Sequence, residues 1–312
     1  MKILVTGASG FLGGPVCRAL TAAGHRVAGA VRREVTLPAG IEPRRVGDLG
    51  PDTDWRPALA GIDAVVHLAA RAHVMDEDES DPLAVFRRVN RDGALSLASQ
   101  AAECGARRLI FVSSIKVNGE ATPAGRPFRA DDPPAPKDPY GVAKAEAEAA
   151  LRAVAGLEPT ILRPPLVHGP GAKGNLLTLM KLLRRRLPLP LGAIDNRRSL
   201  VGAANLADAI RFCLESPATI GKTFLIRDGE DVSTPELIRR LGAALGVATP
   251  LLPVPAALLR LALGLAGRRA AAERLTGSLI VDDSPLRDLG WNPSVGLDDG
   301  LRAMAADFLG KS

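Results

Sequence analysis

The one tyrosine of this 312-residue chain, Tyr140, opens the run Tyr140-Gly141-Val142-Ala143-Lys144. A Tyr and a Lys four residues apart share one helix face, so an ammonium can sit beside the phenol. Such a neighbour favours the phenolate and lowers a free pKa of about 10, giving a proton donor and acceptor usable near neutrality. A second constellation lies at the amino terminus, where Gly7, Gly10 and Gly13 follow the aliphatic run 3–5 and the apolar spacing turns helical over 11–23. These glycines sit on a strand-to-helix turn, where bare backbone lets a pyrophosphate approach the free N–H groups of a helix start. The next strand-like run, 25–31, leads into Arg32-Arg33-Glu34. A carboxylate about 20 residues past the glycines would hold the ribose 2′-hydroxyl of NAD, whereas guanidinium groups clamp a 2′-phosphate. Arg32 and Arg33 therefore favour NADP(H), while Glu34, one residue on, keeps NAD(H) open.

The elements that must position these groups alternate. Strand-like runs at 3–5, 26–31, 44–46, 64–68, 108–113 and 160–162 are separated by helical patterns, clearest over 83–104 and 140–154. Alternation of this kind predicts an α/β fold, a Rossmann-type doubly wound parallel sheet with ligands at the carboxyl ends of its strands. Past about residue 165 the pattern loosens and becomes rich in proline and leucine. The expected division is a dinucleotide-binding domain over 1–169, rejoined by about 201–227, and a smaller C-terminal substrate-binding lobe from 170–200 and 228–312. Within that lobe Ser233-Thr234-Pro235-Glu236 reads as a capping box that starts a helix running to about Leu245. Residues 122–138 read as a proline-rich loop leading to Tyr140.

Composition narrows the function classes. Hydrophobic residues make up 46% and aromatics 3%, so a sizeable core must be filled by aliphatic side chains. A net charge of +6 suits an anionic ligand, but the arginines are spread without a basic patch and stacking aromatics, which argues against nucleic acid. Cys17, Cys104 and Cys213 are isolated and odd in number, with neither metal nor disulfide spacing; they read as small core residues in a reducing, cytoplasmic setting. No metal is expected, and the apolar start runs into the glycine turn without a signal-peptide pattern. The most apolar stretch, 251–266, is interrupted by Pro253, Pro255 and Arg260, so no transmembrane segment is expected. A buried lobe helix is the simpler reading of that stretch, with contact at a membrane surface as the alternative.

Taken in order, Thr6-Gly7-x-x-Gly10-x-x-Gly13, Asp48-Leu49, His67-Leu68-Ala69-Ala70, Ser113-Ser114 and Tyr140-x-x-x-Lys144 closely resemble an extended short-chain dehydrogenase/reductase of the NAD-dependent epimerase/dehydratase family. The resemblance implies that Gly7, Gly10, Phe11, Leu12 and Gly13 meet the dinucleotide, Asp48 and Leu49 its adenine, and Leu68, Ala69 and Ala70 its length. Pro164, Pro165 and Val167 would border the nicotinamide. Ser114, with Ser113 as the fallback, would hydrogen-bond a substrate oxygen, Tyr140 would pass the proton, and Lys144 would hold the cofactor ribose. His67 reads more simply as a core histidine at a strand end. Arg198 and Asn175 match positions that contact the diphosphate of a nucleotide sugar in the family, and Lys116 and Asn118 would lie near the sugar.

The chain departs from the family pattern where Asn118 stands in place of a Tyr and Leu166 in place of an Asn. With Lys173-Gly174-Asn175 and the run 187–192, these features look most like bacterial reductases acting on UDP-4-keto-6-deoxy-N-acetylhexosamines to make a surface-polysaccharide precursor, UDP-N-acetylquinovosamine. The leading expectation is therefore NADPH-dependent reduction of the C4 ketone of a UDP-linked amino sugar. Two alternatives stay open: a UDP-hexose 4-epimerase using tightly held NAD, and a catalytically silent NADP(H)-binding sensor or scaffold. Helices 83–104 and 140–154 resemble those that pair in homodimers of the family.

Overall fold

The computed structural model describes residues 1–72, 81–123 and 125–310. Its strands are β1 Lys2–Thr6, β2 Arg26–Val31, β3 Glu42–Arg45, β4 Ala64–His67, β5 Arg108–Val112, β6 Glu158–Arg163, β7 Leu166–His168, β8 Arg198–Gly202, β9 Thr223–Leu225 and β10 Asp231–Val232. Seven of them form one parallel sheet in the order β3-β2-β1-β4-β5-β6-β9. Strand order reverses between β1 and β4, so a crevice opens at their carboxyl ends. β1, β4 and β5 are buried almost throughout, as strands covered on both faces must be.

Each face of the sheet has its own aliphatic core. On one side Val5, Val66 and Ile110 pack with Val16, Leu20, Leu206 and Ile210, which belong to helices Gly13–Ala22 and Ala203–Glu215. Leu286 and Trp291 also enter this core, so part of the carboxyl-terminal segment lies on the large sheet. On the other side Leu4, Val65 and Phe111 pack with Leu97, Ala101, Ala147 and Leu151.

The helical pattern over 83–104 is not one regular helix. Pro82–Phe86 is α-helical, Arg87–Asp92 forms a π-helical turn, and Gly93–Glu103 continues as an α-helix. The wider turn carries an extra residue and swings Asn90 inward, where it is buried and exchanges hydrogen bonds with the backbone of Arg71 at 2.9 Å in both directions.

A second, three-stranded sheet, β10-β8-β7, had no counterpart in the sequence reading. Its strands are two to five residues long, too short for a period to register. Pro164 and Pro165 alone separate β6 from β7, so one stretch of chain leaves the large sheet and enters the small one. Around the small sheet, helices Asn175–Arg184, Thr234–Ala244 and Leu297–Gly310 share a core of Leu176, Met180, Leu183, Leu237, Leu241, Leu301 and Met304. The Ser233 capping box is present: its hydroxyl accepts from Glu236 N at 3.2 Å, and Glu236 accepts from Ser233 N at 2.7 Å. The leucine-rich stretch forms helix Ala256–Leu265, but it is not the buried helix its composition suggested. Leu259 faces the core while Leu258, Leu261 and Leu265 face outward.

Candidate active site

A cleft of about 920 Å³ opens at the carboxyl ends of the large sheet. Gly7, Gly10, Phe11 and Leu12 line it from the glycine turn, Arg32, Asp48 and Leu49 from the ends of β2 and β3, and Leu68, Ala69 and Ala70 from the end of β4. Ser114, Tyr140, Lys144, Pro164 and Val167 line its far side.

The turn is built for close approach by a ligand. Gly7 has φ +68°, and a Cβ there would lie 3.0 Å from Ala69 N. Helix Gly13–Ala22 begins without a side-chain cap, leaving its amino-terminal N–H groups and positive dipole end for an anion. Gly13 serves packing instead: a Cβ there would be 2.1 Å from Ala8 O, so only glycine lets the helix close on the turn. Trp55, also lining the cleft, carries a buried Nε1 with no hydrogen-bond partner in the structure. These features fit a dinucleotide, which the glycine turn, the ends of β2 to β4 and Lys144 would hold.

Six of the expected contact residues lie outside the cleft lining: Gly13, Arg33, Lys116, Asn118, Asn175 and Arg198. Arg33 is exposed, whereas Arg32 lines the rim and pairs with Asp48 at 3.6 Å. Lys116 Nζ is engaged by acidic partners outside the cleft lining. It bonds Asp138, the N-cap of helix Pro139–Arg152, and reaches Glu120 at 3.5 Å. Asn118 is buried with both amide atoms engaged: Nδ2 donates to Arg129 O at 2.7 Å and Oδ1 accepts from Arg163 Nη1 at 2.9 Å. It braces the wall behind the cleft and is committed to these partners rather than to a sugar. Arg198 Nη1 donates to Arg274 O at 2.9 Å and Gly277 O at 3.1 Å, closing the end of helix Arg269–Thr276. Asn175 is the exposed first residue of helix Asn175–Arg184.

The two serines divide their work. Ser113 Oγ donates to Glu148 Oε1 at 2.5 Å in the interior. Ser114 is half-buried at the cleft and caps the short turn Ile115–Val117, its Oγ accepting from Lys116 N at 3.3 Å. Glu148 and Arg163 went unmarked in the sequence reading. Glu148 accepts from Arg163 Nε at 2.9 Å and Nη2 at 2.6 Å, both side chains being buried. One turn after Lys144, this pair locks the Tyr140 helix to β5 and β6. The signal available beforehand was Arg163 closing the largely apolar run 159–162; Glu148, inside a stretch of alternating Ala and Glu, gave none.

The electrostatics differ from the expectation. Burial, then the Asp138 carboxylate, pushes the Tyr140 phenol up to about 12, although its side chain remains partly open to the cleft. Burial pushes Lys144 down to about 7, against an opposing pull from Glu148. Sharing a helix face brings the two residues together, but the Lys144 ammonium is committed elsewhere: Nζ donates to Val112 O at 2.8 Å and lies 4.2 Å from the centre of the Phe111 ring. The phenol therefore stays protonated at neutrality. His67 is pushed down to about 3 by burial, then by Lys144, and its Nδ1 lies 2.7 Å from Thr6 Oγ1. Thr6 Oγ1 also accepts from Ala69 N at 3.2 Å, so this neutral histidine pins the ends of β1 and β4 beside the glycine turn.

Over residues 3–226 the chain matches the NAD dependent epimerase/dehydratase family. A UDP-glucose 4-epimerase of Vibrio cholerae is 44% identical over 314 residues, which cover 99% of this chain and 95% of that protein. A 2-alkyl-3-oxoalkanoate reductase of Stenotrophomonas maltophilia (strain K279a) is 31% identical over 337 residues, 98% of this chain and 99% of that protein. Among solved structures, a UDP-glucose 4-epimerase of Thermus thermophilus in complex with NAD aligns over 100% of both chains with a TM-score of 0.77 and 25% identity. The glycine turn, the cleft at the strand reversal and the Ser114, Tyr140 and Lys144 wall thus sit in a chain whose match spans the whole large sheet: this is an NAD(P)-dependent enzyme belonging to the NAD dependent epimerase/dehydratase family.

Proposed function

We propose that the chain reduces the C4 ketone of a UDP-linked 4-keto-6-deoxy amino sugar with NADPH, making a precursor for surface polysaccharide. The observation that carries this reading is the wall on which Ser114, Tyr140 and Lys144 face the glycine turn across one cleft, with burial and Asp138 raising the Tyr140 phenol so that it enters as a proton donor. Reduction of a ketone begins with a proton donor in place, whereas oxidation of a sugar hydroxyl begins with a base. Ser114 would hold the carbonyl oxygen, Tyr140 would deliver its proton to that oxygen, and Lys144 would anchor the cofactor ribose. The bound nicotinamide supplies the hydride. Arg32 supports NADPH over NADH, because it stands at the cleft rim where a 2′-phosphate would be clamped.

Purified protein mixed with NADPH and UDP-4-keto-6-deoxy-N-acetylglucosamine should deplete the absorbance of the reduced nicotinamide. Tyr140→Phe should cut turnover by about a thousandfold while NADPH affinity stays within about a factor of two. No depletion despite intact NADPH binding would sink the proposal.

A second reading, 4-epimerisation of a UDP-hexose, is favoured by the 44% identical Vibrio cholerae relative. It expects dinucleotide to copurify, and UDP-glucose and UDP-galactose to interconvert without net use of NADPH.

A further inference from the structure

Eight large hydrophobic side chains are exposed among the described residues, and five of them, Leu187, Leu252, Leu258, Leu261 and Leu265, come from two adjoining segments of the substrate lobe. The segments are joined by backbone hydrogen bonds: Leu189 N donates to Pro250 O at 2.9 Å, Leu252 N to Leu189 O at 2.8 Å, and Gly192 N to Leu252 O at 2.9 Å. Helix Ala256–Leu265 follows directly. Leu258, Leu261 and Leu265 recur at helical spacing along its outer face and are 57%, 60% and 83% exposed. Exposed leucines gathered on adjoining segments in this way mark an interaction surface.

Its occupant is indicated by charge. Residues 173–194 carry Lys173, Lys181, Arg184, Arg185 and Arg186 and no Asp or Glu; residues 249–272 carry Arg260, Arg268 and Arg269 and again no acid. Acidic groups enter at the margin: the exposed Asp195 just past the first segment, Glu273 pairing with Arg269 at 3.4 Å just past the second, and Asp307, which accepts from Gly171 N at 2.8 Å. The exposed Arg185, Arg186 and Arg268 thus belong to the same two acid-free segments as the exposed leucines. Two-fold pairing with a second copy would set this surface against itself and bring a net positive face to a net positive face. An anionic bilayer instead offers phosphates to the arginines and an acyl boundary to the leucines. No helix among the described residues is long and apolar enough to cross a membrane, so contact would lie in the plane of the surface.

We propose that this leucine and arginine face of the substrate lobe docks the enzyme on anionic lipid bilayers. The full-length protein is sedimented with vesicles of phosphatidylcholine alone or with about one third phosphatidylglycerol. The bound fraction should be at least about tenfold higher on the anionic vesicles and fall with added salt. The triple change Leu258→Ser, Leu261→Ser, Leu265→Ser should lower that binding by about tenfold with the unfolding temperature unchanged, since these side chains are already in water. Arg185→Gln, Arg186→Gln and Arg268→Gln together should produce a loss of similar size while leaving every leucine in place. Three results would overturn the proposal: absence of sedimentation with anionic vesicles, equal sedimentation with both compositions, or a triple leucine variant that drops to a smaller oligomer in sedimentation velocity. The last would hand the face to a second copy of the chain.

Discussion

Tyr140 sits between two influences that oppose its ionisation, and one of them can be edited. Asp138 caps the Tyr140 helix through Gly141 N at 2.7 Å and raises the phenol's pKa by its charge. Lys116 bonds that same carboxylate and offsets the charge. Asp138→Asn keeps a capping oxygen but removes the charge, so the alkaline limb of the kcat profile should move down by roughly half to one pH unit. Lys116→Met should move the same limb up, and a pH series of kcat reads both. Two shifts in the same direction would mean that charge at Asp138 does not tune the phenol. The motif residues were legible because each has a fixed spacing within one element. Their ionisation was not, because it depends first on burial, which the packing of the helix against β5 creates and no spacing within the motif reveals.

At the level of elements, the turn after β1 and the brace behind the Tyr140 helix fail in different ways. Gly13→Ala places a methyl on backbone that cannot rotate away. Dinucleotide affinity should fall by about tenfold or more and stability by about 2 kcal/mol, read by isothermal titration and urea unfolding. Glu148→Ala strands the buried Arg163 guanidinium without its carboxylate, and should cost about 3–5 kcal/mol in the same unfolding series. A value under about 1 kcal/mol would mean that Arg163 finds another partner. Alternation along the chain was enough to place the six strands expected in the large sheet, within a residue or two of their observed ends: five run four to six residues through a dry layer, while β3 is an exposed edge strand. The π-helical turn at Arg87–Asp92 was hidden, since a single extra residue leaves the apolar pattern on either side intact. Asn90 was the available hint, a polar side chain falling where the helical period asks for an apolar one.

For the molecule as a whole, Lys144 makes stability depend on pH. Its folded value of about 7 lies below its ordinary 10.5, so the unfolded chain binds this proton more tightly. The resulting cost is full below pH 7, shrinks as pH rises from 7 to 10.5, and is gone above that window. Lys144→Met should therefore gain on the parent protein at pH 6.5 relative to pH 10, by on the order of 3 kcal/mol in paired denaturant titrations. An equal difference at both pH values would mean that the amine keeps its ordinary affinity for protons. Length and hydrophobic content were enough to expect a large core. The separate sheet of β7, β8 and β10 was not readable, because strands this short take their shape from neighbours distant in sequence.

The Pro164-Pro165 junction joins the two sheets with almost no slack. Each ring fixes one backbone torsion, and both residues lie on the cleft between β6 and β7. Were the small sheet to shift, the movement would pass to the wall of the nucleotide crevice by a stiff lever. Occupancy on one side of the cleft would then be felt on the other through two proline rings and the backbone they stiffen.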